Sequence, residues 1–394
     1  AELVILNTCA FIQSSIVETE EQISKLCLAK QKGKIKYLFI VGCYPKRFSE
    51  NDMKAKFPDV DCWIMPKDLA DIGSFINAAI NISRIEKVKV PYIKLTPSYY
   101  SYLKIGEGCD NFCSFCMLPI IRGRLSSFSE TQVLKQAQKY MSFGAKELLL
   151  VSQDTTSWGK DYGNKPLLIN LLEKLVQLGG DLKWIRILYA YPGYITDDLI
   201  LFLKKYKDLF VYLDLPIQHA SSNVLARMNR HYNHEELVKV LDKIKENIPE
   251  LTLRSTVITG FPGETDQDFQ QLLDLVGKGY FTHLGCFDYS PEKDTPAYNF
   301  QDHIPENIKQ DRLNQIMHCQ QEVVFSMNDN YVGKNIEILY AGNGIARSRH
   351  QAPQIDTEIF IKNPAGLKVG SFYQAKVINN LGYDLEATVL SLNS

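Results

Sequence analysis

Apolar strand-like runs alternate with helical stripes between residues 100 and 300, and this alternation limits the fold more than any other feature of the sequence. Such alternation is typical of a parallel sheet covered by helices. One stripe has apolar residues at helical spacing: Leu237, Val240, Leu241, Ile244 and Ile248. Six strands are predicted, at residues 100–105, 147–152, 184–190, 210–215, 251–258 and 283–289. Six strand–helix units predict an incomplete TIM-like (βα)6 barrel, in which the chemistry belongs at the carboxyl ends of the strands.

Two further regions flank the predicted barrel. Residues 1–80 alternate strand, cysteine and helix twice, which predicts a flavodoxin-like parallel α/β domain. Residues 81–99 carry alternating charges and two prolines and are interpreted as a linker. The barrel is assigned to residues 100–328. Residues 329–394 contain short strands separated by turn signals, which predict a small β-barrel.

Composition excludes several classes of protein. The 394 residues include 44 Lys and Arg and 45 Asp and Glu, so the formal net charge is −1. A near-neutral chain has no global electrostatic reason to coat nucleic acid. No apolar run approaches the roughly 18 residues that a membrane-spanning helix needs, so no membrane partner is expected. Nine cysteines are an odd number in a large chain, which argues against a disulfide framework.

Three of the cysteines lie within eight residues. Cys109, Cys113 and Cys116 form the pattern C-x3-C-x2-C, between glycines and a proline. Thiolates are the ligands of zinc and of iron–sulfur clusters. Because no fourth Cys or His follows at a zinc spacing, a closed structural zinc site is hard to build here. Three cysteines instead suit a four-iron cluster with one open iron.

Two other cysteines occupy equivalent places in the amino-terminal region. Cys9 follows the first predicted strand and Cys43 follows the second. Open α/β sheets bind ligands at the carboxyl ends of their strands. We therefore interpret Cys9 and Cys43 as co-ligands at one sheet edge. Cys27 and Cys62 lie in a helical and a strand pattern, where a packing role suffices.

The cysteine motif resembles that of the radical S-adenosylmethionine (SAM) enzymes. The wider stretch, from Gly106-Glu107-Gly108 through the three cysteines to Arg122-Gly123, resembles the methylthiotransferase family within that superfamily. The resemblance implies the partial barrel, a TRAM domain as the carboxy-terminal β-barrel, SAM as a cofactor and two [4Fe–4S] clusters. It also implies conversion of a C–H bond into C–S–CH3 through a radical derived from SAM.

The resemblance also implies roles for individual residues. Cys109, Cys113 and Cys116 would hold the cluster that binds SAM, while Cys9 and Cys43 would be two ligands of the second cluster. The family's third ligand lies in a preceding unit, so the domain at residues 1–80 is expected to be incomplete and this chain to hold one cluster. His219 is interpreted as a hydrogen-bonded pocket wall, and no acid–base residue is assigned. Cofactor contacts are expected at Phe115, Gln153, Asp154, Gln218, Gly260 and Gly263.

Two branches of the family differ in substrate: one modifies a tRNA adenosine, the other an aspartate of a small-subunit ribosomal protein. Three segments resemble the protein-modifying branch, namely residues 152–155 (Ser-Gln-Asp-Thr), 189–192 (Tyr-Ala-Tyr-Pro) and 215–221 (Leu-Pro-Ile-Gln-His-Ala-Ser). Residues 331–394 have a net charge of only +1, which is low for a domain that grips tRNA. The basic cluster Arg347-Ser348-Arg349-His350 is interpreted as solvated surface. The alternatives are a tRNA methylthiotransferase and a non-catalytic RNA-binding protein with a structural cluster.

Partners follow from the same resemblance. We expect a small-subunit ribosomal protein as substrate, either free or within the ribosome. The chemistry needs a one-electron reductant, such as flavodoxin or ferredoxin, and a sulfur donor. The protein is expected to be a cytoplasmic monomer.

Overall fold

The computed structural model describes residues 2–80, 94–163 and 165–390. Packing divides them into two compact units. The first contains residues 2–80, 108–125 and 290–299, and the second contains the rest. The three-cysteine segment therefore packs with the amino-terminal α/β layer, although sequence assigns it to the barrel. Most of the predicted linker at residues 81–99 lies outside the described residues.

The first unit is built on a short parallel sheet. Its strands are β1 (Leu3–Thr8), β2 (Tyr37–Gly42) and β3 (Cys62–Ile64), in that spatial order. The central strand β2 is an unbroken apolar run, as expected for a strand covered on both faces. The parallel α/β layer predicted for this region is confirmed. The helices are α1 (Gln13–Gln31), α2 (Tyr44–Arg47), α3 (Glu50–Lys56), α4 (Ile72–Ile80) and, after the three cysteines, α5 (Leu118–Arg122).

The second unit contains the predicted six-stranded parallel sheet. Its order is β11-β10-β9-β8-β7-β4, so sequential strands are neighbours. No pairing joins β11 to β4 within the described part of the chain, which agrees with an incomplete barrel. The strands are β4 (Tyr100–Lys104), β7 (Glu147–Val151), β8 (Trp184–Ile187), β9 (Phe210–Asp214), β10 (Thr252–Thr259) and β11 (His283–Asp288), and a small ribbon pairs β5 (Gly106–Glu107) with β6 (Ser126–Ser127).

Helices cover the outer face of this sheet. Three of them begin with capping boxes, in which Ser129, Asn233 and Thr265 accept hydrogen bonds from the first helical turn. Apolar residues of the helices and the outward residues of the strands form the largest core of the molecule. The helices are α6 (Glu130–Ser142), α7 (Lys160–Gly163), α8 (Leu168–Gln177), α9 (Asp197–Lys205), α10 (Ser222–Arg227), α11 (His234–Asn247), α12 (Asp266–Gly277) and α13 (Glu306–Asp329).

A closed five-stranded barrel follows α13 and confirms the small β-barrel predicted at the carboxy-terminal end. Its second strand, Ile345–Ser348, was not predicted from the sequence. The strand order around the barrel is β12-β13-β14-β16-β15. The strands are β12 (Asn335–Gly342), β13 (Ile345–Ser348), β14 (Ile359–Ile361), β15 (Phe372–Leu381) and β16 (Asp384–Val389).

Candidate functional site

Cys9 and Cys43 lie side by side in the chain's first sheet. Thr8 pairs with Gly42 in the register of β1 and β2, so each cysteine directly follows a paired strand end. The Cys43 N–H donates to the Thr8 carbonyl at 3.0 Å. Cys9 is exposed, whereas Cys43 is buried. Their predicted placement at one sheet edge is confirmed.

The loop that begins at Cys9 is fixed by buried polar contacts. Thr19 Oγ1 donates to the Cys9 carbonyl at 2.8 Å, and Arg47 Nη1 donates to the Ala10 carbonyl at 2.7 Å. Arg47 also forms a buried ion pair with Glu292 at 2.7 Å, and Glu292 accepts the Gln13 N–H at 2.8 Å. These contacts hold the backbone at the exposed cysteine and in the residues that follow it.

The segment with three cysteines is a loop whose ends are tied together. The Cys109 N–H donates to the Gly123 carbonyl at 3.2 Å. Gly108 has φ of +75°, and a Cβ there would lie 2.0 Å from the Arg124 carbonyl oxygen, so only glycine fits. The Cys116 N–H donates to the Cys113 carbonyl at 3.0 Å, and Phe115 lies half-buried in the turn between these two cysteines. All three cysteines are half-buried and free of disulfides.

Helix α5 brings the two groups of cysteines to one part of the first unit. Met117 and Ile121 are buried in the same core cluster as Cys43. The Arg122 Nη2 donates to Cys43 Sγ at 3.4 Å. The segment after the three cysteines therefore contacts the edge formed by β1 and β2.

The donor chemistry fits an iron–sulfur cluster. Three cysteines that form no disulfide lie on one loop whose ends are tied together, and thiolates are the ligands such clusters require. In the described ranges, no set of three or more Cys, His, Asp or Glu side chains is already arranged around a metal position. The ligand assignment therefore depends on donor chemistry and on the loop, and it stays a prediction.

Loops at the carboxyl ends of β7 and β9 carry three of the predicted cofactor residues. The half-buried Gln153 precedes Asp154, whose Oδ1 accepts the Thr156 and Ser157 N–H groups at 3.0 and 3.2 Å. Asp154 thus shapes its own loop as a capping residue. Gln218 has φ of +66°, and its backbone bridges to β10. Contacts of these residues with SAM stay predictions.

The loop after β10 contacts the start of α13 and the segment that precedes this helix. A Cβ on Gly260 would lie 2.2 Å from Lys309 Cγ, so this glycine makes room for a side chain of α13. The Gly263 N–H donates to the Asp302 carbonyl at 2.9 Å. The sequence suggested that both glycines let the backbone approach a ligand, and that role stays a prediction.

Glu264 is the buried centre of the same loop. Its Oε2 accepts the Gly260 N–H at 2.8 Å, and its Oε1 accepts from Arg312 Nη1 at 2.7 Å. His219 Nδ1 accepts the Ser221 N–H at 3.0 Å, so Nε2 carries the hydrogen and faces Glu264 Oε2 at 3.4 Å. His219 is fully buried, which suits a wall residue rather than an accessible acid or base.

Two charged residues on the inner face of the six-stranded sheet were not predicted as site residues. Asp214 ends β9 and Arg254 lies opposite it in β10. Both interrupt apolar strand sequences, Phe-Val-Tyr-Leu-Asp and Leu-Thr-Leu-Arg. Burying a charge is costly, so a charged residue within an otherwise apolar strand indicates a specific role. This pattern was the signal available in the sequence.

Models of three protein families match separate parts of the chain. A model of the radical SAM superfamily matches residues 103–276, and a TRAM domain model matches residues 332–390. A model described as uncharacterized protein family UPF0004 matches residues 1–65.

Curated relatives match over almost the whole chain. The ribosomal protein uS12 methylthiotransferase RimO of Clostridioides difficile is 39% identical over 408 residues, which cover 99% of this chain and 90% of that protein. RimO of Desulfitobacterium hafniense is 34% identical over 406 residues, covering 99% and 91%.

Solved structures support the fold. The radical SAM methyltransferase TsrM from Kitasatospora setae, with cobalamin and a [4Fe–4S] cluster bound, has a TM-score of 0.56 at 11% identity, covering 93% of this chain and 72% of that one. The cobalamin-dependent SAM radical enzyme OxsB has a TM-score of 0.52 at 13% identity, covering 82% and 49%. Separately, none of the described helices combines the length and apolar character that crossing a membrane requires.

Proposed function

This chain belongs to the family of ribosomal protein uS12 methylthiotransferases, and we propose that it adds a methylthio group to the β-carbon of an aspartate in that small-subunit protein. The observation that carries the proposal is similarity over 99% of the chain to enzymes named for this activity. The three-cysteine loop agrees with it. The chain is accordingly a radical SAM enzyme that uses [4Fe–4S] clusters and SAM.

Cysteines of the first unit supply the iron ligands. Cys109, Cys113 and Cys116 would hold the cluster that chelates SAM, because three thiolates on one closed loop are the donors that such a cluster requires. When bound, that cluster and SAM supply the one-electron chemistry that removes a hydrogen atom from an unactivated carbon. Cys9 and Cys43 are two ligands of the sulfur-supplying cluster, and Arg122 orients Cys43 through its N–H donor.

Polar loops at the carboxyl ends of the barrel strands would contribute to SAM binding. Gln153, Asp154 and Gln218 present polar groups at strand ends, as does the loop with Gly260 and Gly263. Phe115 supplies an apolar surface beside the cluster. Glu264 acts through the loop rather than on the cofactor, because its oxygens already bind Gly260 and Arg312. Its role is to hold the loop in one conformation.

A protein substrate agrees with the charge of the carboxy-terminal barrel. Arg347 is buried and its Nη2 pairs with Glu147 at 2.7 Å, while Asp356 is also buried and pairs with Arg254 at 2.7 Å, so these internal pairs leave the low net charge of the barrel at +1. The surface that remains offers little attraction for phosphates. This observation disfavours a tRNA substrate and also the alternative of a non-catalytic RNA-binding protein. The enzyme works in the cytoplasm as a monomer, with a one-electron reductant such as flavodoxin or ferredoxin and a sulfur donor.

Mass spectrometry of uS12 tests the proposal. The anaerobically reconstituted enzyme is incubated with uS12, SAM, a sulfide source and dithionite, and the protein is digested and sequenced. We expect a methylthio group on one aspartate, and none when SAM is omitted. A parallel reaction with tRNA is digested to nucleosides. Methylthiolated adenosine together with unchanged uS12 would establish the tRNA alternative. Failure to form 5′-deoxyadenosine would favour a non-catalytic protein.

A further inference from the structure

Asp214 and Arg254 form a charged pair on the inner face of the six-stranded sheet. They are opposite each other in the register of β9 and β10. Because successive side chains of a strand point to opposite faces, they face away from Leu213 and Leu253, which belong to the core under the helices. The inner face near them also carries Tyr212, whose ring stacks on His283. The pair therefore lies on the inner face of the sheet, with Asp214 buried and Arg254 partly exposed.

Only one nitrogen of the Arg254 guanidinium group, Nη1, forms a hydrogen bond among the described residues. Its Nη1 donates to Asp356 Oδ1 at 2.7 Å. Asp356 also accepts from Tyr212 Oη at 2.7 Å and from the Ala352 N–H at 2.8 Å, which fixes its position. Arg254 Nε lies 3.9 Å from Asp214 Oδ1, too far for a hydrogen bond. Neither Nε nor Nη2 has a hydrogen-bond partner in the part of the chain that the structure describes.

Asp214 has one oxygen engaged and one unpaired. Its Oδ2 accepts the Tyr189 N–H at 3.2 Å. Its Oδ1 is buried without a hydrogen-bond partner among the described residues, although the side chain is only 5% exposed. An unpaired buried acceptor is costly, so native structures seldom keep one without a use. Burial raises the pKa of Asp214 to about 6, although Arg254 opposes the shift.

The open groups of the two residues are complementary to one ligand. The Nε–Nη2 edge of an arginine matches the two oxygens of a carboxylate. A carboxylate seated there would also lie next to Asp214 Oδ1. Two adjacent carboxyl groups do not both ionise, so they share a proton, and the raised pKa of Asp214 favours the protonated form. A bound carboxyl group would then form hydrogen bonds with Asp214 Oδ1 and with the Nε and Nη2 groups of Arg254.

We propose that Arg254 and Asp214 bind the side-chain carboxyl group of the aspartate that the enzyme modifies. Arg254 donates two hydrogen bonds from Nε and Nη2, and the protonated Asp214 donates a third from Oδ1. This inference rests on the proposed function. The carbon to be modified is bonded to that carboxyl group, so fixing the carboxyl group restricts the position of the reacting carbon. The pair is thus a specificity determinant that selects aspartate over asparagine.

A double-mutant cycle on binding tests the role of Arg254. Dissociation constants are measured for wild-type enzyme and Arg254→Gln, each with uS12 and with uS12 in which the modified aspartate is replaced by asparagine. We expect the wild type to prefer the aspartate form by about 10- to 100-fold, as for hydrogen bonds to a charged group. Arg254→Gln should abolish this preference. Lys243→Gln is the control, because Lys243 pairs with Asp197 on the surface and should leave the preference unchanged.

The variant Asp214→Asn tests whether a protonated Asp214 binds the substrate carboxyl group. The measurement compares pH dependence in folded proteins. The charged and titratable groups around Asp214 are Arg254, Asp356, Tyr189, Tyr212 and His283. We expect the wild-type affinity for uS12 to fall as the pH rises from 6 to 8, because ionised Asp214 repels the substrate carboxylate. The asparagine amide still donates, so Asp214→Asn should bind with an affinity that is independent of pH in this range.

The outcomes separate this inference from the proposed function. If the wild-type enzyme leaves uS12 without a methylthio group, the proposed function is wrong. If uS12 is modified but Arg254→Gln weakens both forms of uS12 equally, the carboxyl group is bound elsewhere and the inference alone is overturned. An unchanged pH dependence in Asp214→Asn would likewise overturn the role of the acid.

Discussion

The nine cysteines of this protein have different surroundings, and the difference predicts which of them bind iron. Burial raises the pKa of the Cys27, Cys62 and Cys319 thiols, and it raises that of Cys286 to about 12. A thiol must lose its proton to bind a metal, so these four are poor ligands. The three cysteines of the closed loop are half-buried and lie where the chain can wrap around a cluster.

Replacing Cys113 by alanine should remove the cluster that chelates SAM. Two thiolates hold a four-iron cluster poorly, so we expect the reconstituted variant to lose roughly four irons per chain relative to the wild type. Iron analysis and electron paramagnetic resonance of the reduced protein measure this loss. Cys286→Ala is the matched control and should retain the iron. Equal iron contents in the wild type and Cys113→Ala would contradict the assignment.

At the scale of elements, the loop after β10 depends on α13. Arg312 lies on the buried face of this helix and pairs with two carboxylates, Glu264 at 2.7 Å and Asp266 at 2.6 Å. Glu264 is fully buried, whereas the Asp266 side chain is 100% exposed. One guanidinium group therefore offers a buried and an exposed ion pair for direct comparison.

Glu264→Ala should destabilise the protein strongly. The substitution leaves a buried Arg312 charge and the Gly260 N–H without this carboxylate. Removing one partner of a buried ion pair costs about 3–5 kcal/mol. Urea unfolding measures the change in the free energy of unfolding. Asp266→Ala removes the exposed partner of the same arginine and should change stability little. If both variants lost equal stability, the loop would not depend on the buried pair.

The strands of the six-stranded sheet were predictable because they are short apolar runs separated by helical stripes. Predicted and observed boundaries of β4, β7 and β9 differ by at most one residue at either end. The predicted third strand ran to residue 190, but β8 ends at Ile187. The short sequence Ile-Ala-Arg-Ser gave no signal for β13, because its Arg347 is buried by a partner far away in the sequence, Glu147.

At the scale of the whole chain, the interpretation of Arg347-Ser348-Arg349-His350 as solvated surface is wrong. Arg347 and Ser348 are buried, His350 is half-buried, and Arg347 binds Glu147 at the start of β7. Burial also lowers the pKa of His350 to about 3, so it is neutral at pH 7. The partner of Arg347 lies 200 residues away in sequence, so only the folded chain reveals the pairing. Candidate ligands were predictable from local spacing, whereas the distant partners of buried charges were not.

Glu147 connects the six-stranded sheet to the carboxy-terminal barrel through two arginines. Its carboxylate binds Arg347 and also Arg186, whose Nη1 donates to the Arg349 carbonyl at 2.7 Å. Glu147→Gln should lower the free energy of unfolding by about 3–5 kcal/mol, because both buried arginines lose their counter-charge. Urea unfolding measures the loss. Hydrogen exchange should show it first in β12 and β13. Glu250→Gln is the control, because Glu250 pairs with the partly exposed Lys207.

The stability difference between wild type and Glu147→Gln should also depend on pH. Burial alone would raise the pKa of Glu147, but Arg347 and Arg186 lower it below its ordinary value of 4.5. The unfolded chain therefore takes up the proton at a higher pH than the folded protein does. The contribution of Glu147 to stability is complete above about pH 4.5 and declines as the pH falls toward the lowered pKa. Glutamine does not titrate, so the two unfolding free energies should converge on acidification. A difference that stayed constant from pH 7 to pH 3 would show that the lost stability reflects packing rather than charge.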